Sequence, residues 1–362
     1  MSRVAGPTVP HWHNPRPLKV LGMGTALPGA PVPTAALLAH VEARFGVAVM
    51  RRGRTVATRL GIATRHCCRD FAVRHETPRP GHTNPELAAT ALHAALTDAG
   101  LGVNDLAYLI GHTTSPACLL PPNIALVADR VGFAGPYMEL RQACTGFANA
   151  LIIAQGLLAV PGARAVAIIG SETGSVYFDP LHAGADMSQL VNLVQMGDGA
   201  AALIVAPDDA QPGARLSHTF FGQMGLGREP GLTLASGGSN LPFVAEDTCT
   251  FTHAYAAVRT HGPALFAHGA ALAQTLGLTL DAMDHIIPHQ ANGRMAAMLG
   301  PALGIAPQRV FVNADRLGNT GSAAIWLALA ELRSRLMPGE RVLVLGAEAT
   351  KYMFGGCVYV HG

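Results

Sequence analysis

Two segments of this chain, separated by about half its length, repeat one pattern. Residues 107–110 form a short apolar run that leads into a polar loop with His112. Residues 285–288 form a second such run, and its loop carries His289, which follows His112 by 177 positions. A pattern that recurs at one long spacing is typical of a duplicated structural unit.

A second pair of runs agrees with this spacing. Residues 165–169 and 341–345 are rich in aliphatic side chains, and each run ends at a glycine, Gly170 or Gly346, which lie 176 positions apart. Strand-like runs alternate with helical patterns along the chain, which indicates an α/β fold with parallel or mixed sheets covered by helices. We therefore predict two related αβ halves that face each other across a pseudo-twofold axis.

These landmarks divide the chain into three regions. Residues 206–213 are rich in Pro, Asp and Gly, which predicts the junction between the halves. The N-terminal residues are polar and contain prolines, which predicts a loosely packed tail. The predicted regions are a tail over 1–17, a first half over 18–206 that carries Cys144, and a second half over 214–362 that carries His289 and Asn319.

The composition narrows the class of protein. Of the 362 residues 49% are hydrophobic and 13% are charged, and the net charge is +2. Such a small charge does not suit nucleic-acid binding, and the high apolarity predicts a homodimer that buries further surface. The N-terminus lacks a signal-peptide pattern, and the apolar run over 143–160 contains Asn149 and Gln155, which favours a core helix over a membrane span. We predict a cytoplasmic protein.

The six cysteines fit neither a disulfide framework nor a zinc site. We expect reduced thiols and no bound metal. One of them, Cys144, directly precedes a long apolar run over 147–160 that predicts a buried helix. A thiol at a helix N-terminus meets the positive end of the macrodipole and unpaired backbone N–H groups, so we expect its thiolate to be favoured.

A histidine and an asparagine far along the chain complete a set with Cys144. His289 lies in Pro288-His289-Gln290-Ala291-Asn292, and Asn319 lies in Gly318-Asn319-Thr320-Gly321. A Cys, a His and an Asn suit thiol-based acyl transfer. Taken singly, the three residues are equally typical of a core thiol, a core histidine and a turn asparagine, but their joint occurrence favours catalysis.

The chain resembles the β-ketoacyl-acyl-carrier-protein synthase III-like branch of the thiolase fold, from about Leu18 to Val360. This resemblance implies that the two αβ halves stack as five layers, in the order αβαβα. The motifs that carry it, in chain order, are Arg59-Leu60-Gly61-Ile62 with Arg65-His66, Ala143-Cys144-Thr145-Gly146-Phe147, Gly197-Asp198-Gly199-Ala200, Pro288-His289-Gln290-Ala291-Asn292 and Gly318-Asn319-Thr320-Gly321-Ser322-Ala323-Ala324.

The resemblance implies a ping-pong Claisen condensation. Cys144 takes an acyl group from a thioester, and a malonyl-type thioester that loses carbon dioxide, or a β-ketoacyl thioester, then attacks the acyl-enzyme. His289 and Asn319 hydrogen-bond the enolate-like oxygen, while the backbone N–H groups of Cys144 and Thr350 form the oxyanion hole of the acyl-enzyme. No cofactor is permanently bound, and the substrates are acyl thioesters of acyl carrier protein or coenzyme A.

Departures from the family pattern bear on the acyl donor. Thr55 stands where primary-metabolism members have an aromatic residue that stacks on adenine, and Val176 stands where they have an arginine that grips the nucleotide. Arg59 and Arg294 remain where the family has basic residues near the phosphopantetheine entrance. These differences favour acyl carrier protein over coenzyme A as the donor.

One basic cluster, formed by Arg51, Arg52 and Arg54, has two interpretations. The first is a solvated loop without a binding role. The second is a docking site for a phosphate or for an acidic carrier protein.

Two further departures favour secondary metabolism. Glu348-Ala349-Thr350-Lys351 replaces the family's turn of phenylalanine and glycines, so Glu348 is expected to approach the active site. The segment over 179–197 is longer than usual. We expect a synthase of polyketide, resorcinol, polyene or quinolone type rather than the initiator of fatty acid biosynthesis.

Three other interpretations remain open. The first is an acyltransferase that uses Cys144 without decarboxylation, and the second is a non-catalytic ketosynthase-like partner subunit, which would be expected to have lost Cys144. The third is a Cys-dependent hydrolase, which the apolar surroundings of Cys144 disfavour. The resemblance also implies a homodimer whose partner contributes a loop to the acyl pocket, and we expect that loop to present Leu119 and Leu120.

Overall fold

The computed structural model describes residues 9–71, 80–178, 180–235 and 251–362. Its strands are β1 (His11–Asn14), β2 (Leu18–Ala26), β3 (Val32–Pro33), β4 (Thr64–Arg65), β5 (Leu106–His112), β6 (Tyr137–Leu140), β7 (Ala165–Glu172), β8 (Gly199–Pro207), β9 (Arg215–Gln223), β10 (Leu232–Thr233), β11 (Thr252–His253), β12 (His285–Pro288), β13 (Arg341–Glu348) and β14 (Met353–Val360). Its helices are α1 (Thr34–Phe45), α2 (Met50–Leu60), α3 (Asn84–Ala99), α4 (Asn123–Val131), α5 (Gly146–Leu157), α6 (Met187–Gln195), α7 (Tyr255–Thr275), α8 (Met295–Leu303), α9 (Ala314–Leu317) and α10 (Ala324–Arg333).

The strands are arranged as two copies of one pattern. The first half has the order β6-β5-β7-β8-β2, and the second has β12-β13-β14-β9. In both, a parallel pair (β5–β7, β12–β13) is followed by two antiparallel pairs. A parallel bridge between Ile286 and Val310 takes the place of β6 in the second half, and the halves join where β2 pairs with β9 at Leu18 and Lys19. The predicted duplication is therefore present in the topology.

Alternate residues of the central strands face two different helical layers. Ile168 of β7 and Val344 of β13 pack with α5 and α10, which lie between the halves. Ile169 packs with α3 and α4 on the outer side of the first half, and Leu343 packs with α7 and α8 on the outer side of the second. Strands that are covered on both faces are apolar at nearly every position. The five-layer αβαβα arrangement is confirmed.

Helix α5 is the core helix that the sequence predicts. It was predicted over 147–160 and is observed over Gly146–Leu157, with its buried residues in the central layer. None of the helices in the described ranges combines the length and the apolarity that crossing a bilayer requires.

The predicted tail is wrong for residues 11–14. These residues form β1, which pairs antiparallel with β9, with Trp12 opposite Phe221. The pairing satisfies backbone groups of β9 that would otherwise have no strand partner on that side. Three parts of the predictions lie outside the described residues: residues 1–8 of the tail, Cys249, and the first residue of the long 179–197 segment. Helix α6 occupies half of the remainder of that segment.

The two tryptophans of the chain offer a matched test of the central layer. Trp326 of α10 is fully buried, meets Phe147 of α5 edge to face at 5.7 Å, and donates from Nε1 to His112 Nε2 at 3.2 Å. Trp12 is 61% exposed. We expect Trp326→Ala to lower the free energy of unfolding by about 3–5 kcal/mol in urea titrations, and Trp12→Ala to change it by less than about 0.5 kcal/mol. Equal effects would contradict the central packing of α10.

Candidate active site

Cys144 lies in the turn that opens α5. It is half-buried between Ala143 and Thr145, both of which are buried, and Thr145 is the N-cap residue of the helix. The turn follows β6, at the carboxyl end of the parallel strands of the first half. The thiol is thus held at the start of a helix in the central layer, as its sequence context predicts.

Glu348, the last residue of β13, fixes this turn from the other half of the fold. It is buried, and its Oε2 accepts hydrogen bonds from the backbone N–H of Thr145 at 2.9 Å and from Thr145 Oγ1 at 2.7 Å. The hydroxyl of Thr350 donates to its Oε1. A strand of the second half therefore caps a helix of the first.

Glu172, the last residue of β7, makes the reciprocal contact. Its Oε2 accepts from the backbone N–H of Ser322 at 3.1 Å and from Ser322 Oγ at 2.8 Å, just before α10 begins. Its Oε1 accepts from Thr114 Oγ1 at 2.8 Å and from Ser115 Oγ. Gly321 has a φ of +49°, and a Cβ there would lie 2.4 Å from Glu172 Oε2, so this position requires glycine.

The electrostatics of Cys144 differ from the sequence expectation. Burial raises the pKa of its thiol well above the usual range, and the negative charges of Glu348 and Glu172 raise it further. A helix N-terminus was expected to favour the thiolate. Here the N–H of Thr145 already donates to Glu348, and the negative charge of Glu348 disfavours a thiolate beside it. That expectation is wrong, and the resting group is a protonated thiol.

His289 directly follows β12 and is buried. Its backbone N–H donates to Leu345 O of β13 at 2.7 Å, which places it three residues from the carboxyl end of that strand. Burial lowers the pKa of its imidazole to about 4, so the ring is neutral near pH 7. Its Nδ1 makes no hydrogen bond to any residue that the structure describes.

Asn319 precedes α10 in a loop that reaches the cysteine turn. Its backbone is anchored to Gln195 O at 2.8 Å and to Gly197 N at 3.0 Å, and its Oδ1 accepts from Gly321 N at 3.1 Å. Because only the amide oxygen is used within the described residues, the side-chain NH₂ is available to donate. Three residues further on, Ser322 Oγ, whose proton goes to Glu172, also lies 3.3 Å from Gln142 O, so this loop contacts the segment of Cys144.

The three predicted catalytic residues therefore lie on segments that meet at the carboxyl ends of the parallel strands. Arg59 and Arg294 form a second group nearby. Both are exposed, and Arg294 donates to Thr58 O at 3.2 Å beside the end of α2. Thr350 lies in the turn between β13 and β14, next to Glu348.

The basic cluster lies at the start of α2. Arg51, Arg52 and Arg54 line an open groove of about 590 Å³ together with Glu42 and Met50. Thr55, on the same helix, is exposed and its hydroxyl bonds only to Arg51 O among the described residues. Val176 is exposed as well, at 46%.

Sequence reasoning did not assign a role to Glu172, His112 or Ser322. His112 is buried against Trp326, and burial lowers its pKa to about 3, so it is a neutral core group. A signal for the carboxylates was present, since Glu172 and Glu348 are separated by 176 positions, the spacing of the duplication.

The raised pKa of Cys144 predicts its alkylation behaviour. The rate of modification by iodoacetamide, followed by intact mass, should still be rising at pH 9, because only the thiolate reacts. Glu348→Gln removes one negative charge and should shift the profile to lower pH. Glu86→Gln, which alters the capping carboxylate of α3, should leave it unchanged. A plateau below pH 8 in the wild-type protein would contradict this assignment.

Comparisons with known proteins identify the family of the chain. Residues 138–225 match the family model described as 3-oxoacyl-[acyl-carrier-protein (ACP)] synthase III, and residues 273–359 match that of its C-terminal part. The chain is 32% identical over 305 residues to the β-ketoacyl-[acyl-carrier-protein] synthase III of Nitratidesulfovibrio vulgaris, covering 80% of this chain and 85% of the relative.

Two solved structures are similar over almost the whole chain. One is AbyA1, a tetronic acid condensing enzyme, with a TM-score of 0.81, 29% identity and coverage of 95% of this chain and 99% of that one. Another is the priming β-ketosynthase of the R1128 polyketide biosynthetic pathway, with a TM-score of 0.77, 25% identity and coverage of 96% and 97%. The chain therefore belongs to the β-ketoacyl-acyl-carrier-protein synthase III family of thiolase-fold condensing enzymes, which are acyltransferases.

Proposed function

We propose that this enzyme runs a ping-pong condensation in which Cys144 carries the acyl group to a malonyl-type or β-ketoacyl thioester. The observation that supports it most is the placement of Cys144. Its turn opens a central helix and contacts both the Asn319 loop and Glu348 at the end of β13, the strand to which the backbone of His289 is bonded at Leu345. Segments from both halves thus meet at the turn of the half-buried Cys144, which suits a covalent intermediate formed partly out of water.

Acylation needs a base, because the resting thiol is protonated. Burial lowers the pKa of His289 to about 4, which leaves the ring neutral, and in this proposal His289 accepts the Cys144 proton as sulfur attacks the donor thioester. The sulfur–acyl bond forms, the donor carbon–sulfur bond breaks, and the proton passes to the departing pantetheine thiolate. Cys144 and His289 are thus both uncharged before and after the step.

Condensation needs donors for the oxygen that becomes enolate-like. Neutral His289 keeps one ring N–H, and Asn319 has its side-chain NH₂ available within the described structure. Both donate to the thioester oxygen of the second substrate. The backbone N–H groups of Cys144 and Thr350 serve the carbonyl of the acyl-enzyme.

The acyl donor in this proposal is an acyl carrier protein. Arg59 and Arg294 flank the end of α2, where a phosphopantetheine arm would enter, and the groove of Arg51, Arg52 and Arg54 lies on the same helix. These exposed cations suit an acidic protein surface. Thr55 has no ring to stack on adenine, which removes an interaction of roughly 1–3 kcal/mol.

A role in secondary metabolism is supported by two of the similar structures, a tetronic acid condensing enzyme and a polyketide priming ketosynthase. The turn after Glu348, which lacks the expected glycines, points the same way. A homodimer is supported by the unpaired outer side of β6 within the described sheet and by the exposure of Leu119 and Leu120, at 60% and 84%.

Asn319→Ala separates the two half-reactions. Condensation should fall on the order of a hundredfold or more, because one oxyanion donor is lost, while self-acylation should change much less. Intact mass follows acylation, and chromatography with mass detection follows the condensed product. Cys144→Ala should abolish both steps, and the exposed Asn104→Ala should affect neither. Condensation by Asn319→Ala at the wild-type rate would refute the donor role.

Donor choice is tested with one acyl group on two carriers. Transfer to Cys144 should be clearly faster from acyl carrier protein than from coenzyme A, and it should slow with added salt because the encounter is electrostatic. Arg51→Glu combined with Arg54→Glu should slow only the carrier-protein reaction. The matched control is Arg164→Glu, which lies directly before β7, at the other end of that strand from Glu172, and should change neither reaction. Equal, salt-independent rates from both donors would overturn the carrier preference.

A further inference from the structure

The two capping carboxylates, Glu172 and Glu348, occupy equivalent positions in the duplicated sequence, but they accept different numbers of hydrogen bonds. An ionised carboxylate offers about four acceptor positions. Glu172 uses all four, with two donors on each oxygen. Glu348 accepts two hydrogen bonds at Oε2 but only one at Oε1, from Thr350, within the part of the chain that the structure describes. One acceptor position of Glu348 is therefore unused.

The Glu348 carboxylate lies between the two segments that frame the proposed acyl-enzyme. Glu348 binds Thr145, the neighbour of Cys144, and Thr350, whose N–H is the second donor of the proposed oxyanion hole. All its partners are donors, which suits the ionised form. A buried carboxylate that has a free lone pair and lies near an acyl thioester can act as a general base.

The negative charge of Glu348 also affects which second substrate can approach and attack the acyl-enzyme. A malonyl thioester brings a carboxylate of its own and obtains its carbanion by losing carbon dioxide, so it needs no base. No Arg or Lys side chain among the described residues forms an ion pair with Glu348 or Glu172. A second anion near Cys144 would thus meet the negative charge of Glu348, which no described Arg or Lys offsets. A neutral β-ketoacyl thioester meets no such repulsion but must lose an α-proton.

We propose that Glu348 is the general base of the condensation and that the second substrate is a β-ketoacyl thioester, joined without decarboxylation. This inference rests on the proposed acyl-enzyme at Cys144 and narrows its second substrate. Glu172, whose acceptor positions are filled, is a positioning residue only.

The step balances without a further reactant. Glu348 Oε1 takes a proton from the carbon between the two carbonyls of the β-ketoacyl thioester, and the electron pair becomes an enolate whose oxygen is held by His289 and Asn319. The enolate carbon attacks the acyl carbonyl, a carbon–carbon bond forms, and the carbon–sulfur bond to Cys144 breaks. The proton on Glu348 then passes to the Cys144 thiolate, whose raised pKa makes it a ready acceptor.

The test uses single turnovers of the full chain. The protein is loaded with hexanoyl, octanoyl or decanoyl groups from pantetheine thioesters, and the Cys144 adduct is verified by intact mass. Acetoacetyl-pantetheine or malonyl-pantetheine is then added, and both discharge of the adduct and release of carbon dioxide are followed. We expect faster discharge by acetoacetyl-pantetheine, without carbon dioxide.

Glu348→Gln keeps the shape and one acceptor oxygen but removes the charge. It should still be acylated, should lose on the order of a hundredfold or more in discharge by acetoacetyl-pantetheine, and should gain in discharge by malonyl-pantetheine. Glu348→Asp retains the charge with a shorter reach, so it should lose the first reaction without gaining the second. A merely structural role would not produce this reversal of preference. Glu86→Gln is the matched control and should behave as the wild type.

Two results would overturn the inference while leaving the acyl-enzyme intact. One is wild-type discharge by malonyl-pantetheine, with carbon dioxide, at least as fast as by acetoacetyl-pantetheine. The other is an equal loss of both reactions in Glu348→Gln. If no thioester of the series acylates Cys144, the proposed function itself fails, and this inference fails with it.

Discussion

Two buried carboxylates, each at the end of a strand in one half, cap the central helix of the other half. Glu348 of β13 holds the start of α5, and Glu172 of β7 holds the segment before α10. Since α5 and α10 fill the layer between the sheets, these crossed contacts fix the halves relative to each other where the site is formed. The position of Cys144, one residue before Thr145, depends directly on this exchange.

The same contacts determine the charge state of the site. Burial disfavours charged groups, and the two carboxylates disfavour a further anion. Cys144 is therefore a thiol and His289 a neutral imidazole at rest. The proposed mechanism therefore begins from a thiol and a neutral imidazole, and in it each proton moves together with formation or breakage of a bond. Glu172 is stabilised by four donors, whereas Glu348 has three within the described residues, and this difference is the basis for proposing Glu348 as the general base.

Much of the fold was accessible from the sequence because duplication leaves a regular spacing. The offset shared by His112 and His289, and by Gly170 and Gly346, predicted two halves with one topology, and the apolar run after Cys144 predicted α5. The electrostatics were not accessible in this way. The pKa of Cys144 depends on carboxylates that lie 28 and 204 positions away in sequence, and the pairing of β1 with β9 depends on which strand edge is free. Contacts of this kind are set by tertiary structure, which residue patterns describe only indirectly.

The central claim is that Cys144 carries the acyl group, and peptide mapping tests it most directly. The protein is incubated with a series of acyl thioesters on pantetheine, quenched at low pH, digested and analysed by mass spectrometry. The account predicts the acyl mass on the peptide that contains Cys144 and on none of the five other cysteine positions. An adduct on a different cysteine, with Cys144 unmodified, would contradict it.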